Sequence, residues 1–141
     1  MPLKVEHLDE RRGVLAEASG ELTGDELLRG VADVNSLDLA EKPILYTFFD
    51  FNGVTGVNIS TMQIRAAADL AIRGSRRHSI SRVVAIYAKN DLPFALARMW
   101  EVLVNEIGWE TYVFRERTDA LAWTGERVSE KFGILITLNT E

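Results

Sequence analysis

The chain has 141 residues, 47% of them hydrophobic and 26% charged, with a formal net charge of −5 and no cysteine. That length and apolar content support one domain with a core that needs no staples. The acidic balance argues against general nucleic-acid affinity, and the missing cysteines remove disulfides, thiolate metal sites and thiol nucleophiles. No run approaches the roughly 18 apolar residues that span a bilayer. The opening MPLKVEHLDE has no apolar signal stretch, so the expectation is a single cytoplasmic domain over 1–141.

Leu3 to Leu8 begins with alternating apolar and polar positions, and Asp9-Glu10-Arg11-Arg12-Gly13 is a polar turn. Together they predict a hairpin whose second strand is Val14 to Leu22, with Gly20 marking a bulge or a close backbone approach. Thr23-Gly24-Asp25-Glu26 reads as a capping box flanked by the staple pair Leu22 and Leu27, so a helix starts there and ends near Asn35-Ser36. Leu37 to Lys42 is a connection. Pro43 introduces the strand Ile44 to Phe51, whose continuous apolar character fits a central strand covered on both faces. Asn52 to Asn58, with Gly53 and Gly56, is expected to turn. Ser60-Thr61-Met62-Gln63 then repeats the capping box, with Ile59 and Ile64 as its staple.

The helix that follows places Ile64, Ala67, Ala68 and Ala71 on one stripe and ends at Gly74. Arg82 to Ala88 is a strand rich in β-branched residues. Asn90-Asp91-Leu92-Pro93 opens a third helix, with Phe94, Ala97, Trp100, Leu103, Val104 and Ile107 at helical spacing and Gly108 as its stop. Thr111 to Phe114 is a short strand. Thr118 or Asp119 can cap a last helix through Ala120, Leu121 and Trp123, weakened by Gly125, and Phe132 to Leu138 is apolar enough for a strand or an adhesive tail. The order β-β-α-β-α-β-α-β-α gives an α/β fold, one mixed sheet of about five strands flanked by four helices.

This order, with FFDFNGVTGVNIST, resembles the STAS domain, and more closely the SpoIIAA-like, or STAS/SEC14-like, family of small stand-alone bacterial proteins. The likeness is carried by Gly20-Glu21-Leu22-Thr23 with Asp25-Glu26-Leu27, by Asp50, and by Ala85-Ile86-Tyr87 with Phe94 to Glu101. Val113-Phe114-Arg115 and Ala120-Leu121-Ala122-Trp123 complete it. It covers about 14–123, leaving 124–141 as a C-terminal extension. The resemblance implies a regulatory domain switched by phosphorylation of a serine in a pattern like Asp-Ser-Ser-Gly. Laid on the helix start, that pattern falls on Asn58, Ile59, Ser60 and Thr61, so the acceptor position holds Ile59. A one-residue shift would put Ser60 there, where a capping role worth about 1 kcal/mol competes with it.

No catalytic residue, metal ligand or cofactor site is assigned. Asp50 has no local His, Lys or second acid and fits a turn-ordering carboxylate, while His7 and His78 lack metal-ligand spacing. Gly53 and Gly56 belong to no phosphate-binding motif. The expected function is therefore non-catalytic: a regulatory or interaction domain binding an unidentified protein partner through Asp50, Asn52, Gly53, Thr55, Asn58, Ser60 and Thr61. The alternative is a carrier or sensor of a small apolar or lipid ligand. It requires a cavity between the sheet and the helix from Phe94 to Ile107, with its mouth near Arg73 to Arg82. The cluster Arg73, Arg76, Arg77, His78 and Arg82 is either a complement to a helix dipole or an anion or headgroup contact. The FGILITL tail and the hairpin edge offer apolar surface for a homodimer. Trp100 and Trp123 lie at core spacings, and Trp109 is the tryptophan expected at the surface.

Overall fold

A computed structural model of the chain describes residues 3–9, 12–37, 43–75, 82–104 and 109–136. Nine elements follow in order. They are β1 (Leu3–Leu8), β2 (Gly13–Thr23), α1 (Gly24–Leu37), β3 (Tyr46–Asn58), α2 (Thr61–Ser75), β4 (Val83–Tyr87), α3 (Asp91–Val104), β5 (Glu110–Phe114) and α4 (Arg117–Phe132). The sheet order is β1-β2-β3-β4-β5, with β1 antiparallel to β2 and every later pair parallel.

The unbroken apolar run of β3 follows from its central place. Phe49 packs with α1, α2 and α3 residues such as Val31, Ala67 and Trp100, while Tyr46 and Phe48 pack with Ala120 and Val128 of α4. Three helices therefore cover one face and α4 covers the other. The small residues of α2 let it lie close, since Ala67, Ala68 and Ala71 are all buried in the larger cluster. The hairpin is tied to this core by Tyr46, whose buried hydroxyl donates to Asp9 Oδ2 in the β1–β2 turn. Burial, then the bond and charge of Asp9, push the Tyr46 phenol well above its ordinary range, so it stays a donor. A Cβ on Gly13 would come within 2.1 Å of the same ring, which is why glycine stands there.

Four expectations are corrected. Asn52 to Asn58 is not a turn but the second half of β3, paired with β2 through Thr23↔Asn58; two register shifts in that ladder leave extra residues on β3. Such bulges absorb the glycines and increase local twist. α4 passes through Gly125 and runs to Phe132, ending on Gly133 in the left-handed conformation; its N-cap is Glu116, with no side-chain cap bond, rather than Thr118 or Asp119. The described part of the apolar tail is not a strand: Ile134 and Ile136 fold back onto the α4-side core, leaving Leu135 exposed. Trp109, expected at the surface, is buried with the Arg82 guanidinium 4.4 Å over its ring. The terminations at Gly108 and the connection over 38–42 lie outside the described residues.

Candidate interaction site

Both capping boxes form. Thr23 N–H and hydroxyl donate to Glu26 Oε1 at 3.1 and 3.0 Å, and Glu26 N–H returns to Thr23 Oγ1 at 3.3 Å. Ser60 N–H donates to Gln63 Oε1 at 2.9 Å, and Gln63 N–H donates to Ser60 Oγ at 3.1 Å. The two boxes abut, because a Cβ on Gly24 would lie 2.0 Å from the Gln63 side chain. Since β2 and β3 are parallel and end in register at Thr23 and Asn58, α1 and α2 start side by side.

That juxtaposition brings the two staples together. Leu22 with Leu27 and Ile59 with Ile64 form one side of an apolar hollow; Phe49, Phe51 and Ile86 form its floor, and Pro93, Leu96 and Trp100 of α3 close it. All thirteen lining residues are apolar or aromatic. Ile59, Val57, Phe51 and Leu96 at its edge are half-buried. The cavity of about 40 Å³ is smaller than the roughly 150 Å³ void that holds benzene in an engineered core. It has room for the tip of one aliphatic side chain, and a whole lipid would require it to open.

The other sheet face at the same end is polar. Asp50, buried, accepts Asn52 N–H at 2.9 Å through Oδ1 and Arg117 Nε at 3.5 Å through Oδ2, and the Tyr87 hydroxyl donates to Asn52 Oδ1 at 3.4 Å. The Tyr87 phenol is raised by burial first, then by the Asp50 and Glu116 charges, against Arg117. Asp50 thus orders the chain where β4 stops opposite it and β3 continues alone with β2. Sequence reasoning found Asp50 but missed Arg117, which lies 67 residues away and meets it only through the return of α4.

The proposed contact residues fall into two sets. Asp50 and Asn52 sit at the polar junction, and Asn52, Gly53, Thr55, Asn58, Ser60 and Thr61 are exposed along the β3 end and the α2 start. The basic cluster is at the other end of α2. Arg73 is exposed and paired with Asp69 at 2.7 Å, Arg82 is buried on Trp109, and Arg76, Arg77 and His78 lie outside the described residues. The hollow lies between the sheet and α3 as the ligand reading required, but its walls are the helix starts, not the Arg73 to Arg82 end. Among the described residues no group of three or more His, Asp or Glu could hold a metal ion, and no helix is long and apolar enough to cross a membrane.

Comparison with solved structures decides the fold. An uncharacterised protein of the DUF3478 family with a SpoIIAA-like fold, from Shewanella loihica PV-4, superposes with a TM-score of 0.51 at 20% identity, covering 86% of this chain and 91% of that one. The chain has a SpoIIAA-like fold. The anti-sigma factor antagonist SpoIIAA in its unphosphorylated form matches with a TM-score of 0.51 at 12% identity, over 94% of this chain and 99% of that one. No family model and no curated protein matches the sequence.

Proposed function

We propose that the protein is a non-catalytic regulatory or interaction domain that binds a protein partner at the end of the sheet where β3 outruns β4 and α2 begins. The observation that carries this reading is the apolar hollow between the two abutting helix caps. Its walls are held by staples, it has the size of one aliphatic side-chain tip, and half-buried Ile59 and Val57 lie at its edge. A preformed pocket for one anchor side chain, with exposed Asn58, Ser60 and Thr61 next to it along the chain, is the geometry of a binding hot spot. The SpoIIAA-like fold supports it, since one neighbour of that fold is an anti-sigma factor antagonist. Affinity capture from the native organism tests it. Parent and Arg73→Glu should retain the same partner, and Ile59→Asp should lose it; equal capture by all three contradicts the reading.

A second reading rests on the same hollow: its wholly apolar lining also suits the end of a small alkyl ligand. Native mass spectrometry of the purified protein separates the two. A stoichiometric apolar adduct favours the carrier, and a bare chain favours the interaction domain.

A further inference from the structure

A second cavity lies between the sheet and the helices, toward the C-terminal ends of α1 and α2, and shares Val31, Phe49 and Trp100 with the apolar hollow. Its volume of about 10 Å³ is room for about one water molecule. Its lining differs in kind from that of the hollow, because Thr47, Asn35 and Arg82 bring polar groups to it and no carboxylate does. Two of the lining residues carry buried polar atoms that have no hydrogen-bond partner among the described residues, the Thr47 hydroxyl and the Trp100 indole N–H. Thr47 is 1% exposed and Trp100 7%. Thr47 stands in the sheet between Val14 of β2 and Val84 of β4, both fully buried, where a valine of the same shape would bring no polar atom to satisfy. A buried indole N–H usually finds a partner, and a buried donor or acceptor left unmade costs its full desolvation.

We propose that this cavity binds one structural water, which accepts the Trp100 indole N–H and donates to Thr47 Oγ1, and that the water holds the indole where it walls the apolar hollow. Water meets each constraint. It matches the space, and it both accepts and donates, as a donor-only indole facing a two-way hydroxyl requires. Asn35 and Arg82 line the same cavity and complete the polar surroundings that a buried water needs. A chloride ion would suit the Arg82 charge but is larger than the space. The link to the hollow rests on the binding reading above. Phe49 meets Trp100 edge to face at 6.1 Å and both rings line the two cavities, so a turn of the indole would reshape the hollow from behind. Thr47 is not among the residues lining the hollow; it is a positioning residue that acts through the water and Trp100.

Water–protein cross-relaxation measured by NMR on the isotope-labelled chain tests the site without any partner. The Trp100 Hε1 signal, assigned by its loss in Trp100→Phe, should show a cross-peak to a long-lived water. Thr47→Val should lose that cross-peak with an unchanged circular dichroism spectrum, and Thr47→Ser should keep it; the parent measurement decides the site even if Thr47→Val fails to fold. In affinity capture, Thr47→Val should lose partner relative to the parent, and Thr47→Ser should match the parent. A parent without the cross-peak, a cross-peak that survives Thr47→Val, or a Trp100 Hε1 shift that follows chloride concentration at constant ionic strength would each overturn the water site. Capture lost with Ile59→Asp but unchanged with Thr47→Val would overturn the link to the hollow. Capture indifferent to Ile59→Asp would overturn the binding reading and the link with it, while the cross-peak would still establish the water.

Discussion

Tyr46 joins the hairpin turn to the centre of the sheet with one hydroxyl, and its ring fills the space that Gly13 leaves open. A hydrogen bond to a charged acceptor contributes more than a neutral one, so Tyr46→Phe should lower unfolding stability by about 2 kcal/mol in urea titration. Gly13→Ala should cost about 3 kcal/mol, because the buried ring has nowhere to move. Asp50 works at the same scale. Its carboxylate accepts from Asn52 N–H, as expected of it, but within β3 and not in a turn, and it also accepts from Arg117, which the sequence did not show. A bond between residues two apart is written in local Asx chemistry; one that spans the chain requires the packing of α4 to be known first.

The helix starts were legible as elements because a capping box is a four-residue pattern with its own hydrogen bonds, and both boxes form as read. Their contact was not legible, since it depends on β2 and β3 ending in register. It has a measurable consequence. Thr23→Ala and Ser60→Ala should each cost about 1 kcal/mol, and Gly24→Ala should cost a similar amount by displacing Gln63 from Ser60 N–H, with little further loss when combined with Gln63→Ala in thermal unfolding. The end of β3 was misread because glycines and asparagines signal turns locally, whereas here bulges take them into the ladder.

On the far side, α4 is held to β5 by Glu110, which accepts from Arg127 at 3.1 Å and Lys131 at 3.1 Å. Burial alone would raise the Glu110 carboxyl, but the bonds and charges of Arg127 and Lys131 outweigh it and hold it below its ordinary value. A carboxyl lowered on folding stabilises fully above its unfolded pKa and loses that contribution as pH falls through the folded one. Glu110→Gln should therefore flatten the acid limb of the stability–pH curve and leave the variant less stable than the parent at neutral pH.

For the molecule as a whole, the sequence carried the order of elements and the SpoIIAA-like fold, because hydrophobic period and cap chemistry repeat along the chain. It did not carry the site, because the hollow is made by six elements that meet only in three dimensions: the ends of β2 and β3, β4, and the starts of α1, α2 and α3. Two opposite ends of α2 competed as functional surfaces. The cap end has the preformed apolar pocket, and at the other end Arg73 and Arg82 are engaged with Asp69 and Trp109. Hydrogen exchange of the chain alone and with its captured partner decides between them. The account predicts new protection over residues 51–64 and 91–97, and none over the last turn of α2. Protection confined to that last turn, or to α4, with the hollow unchanged, would contradict it.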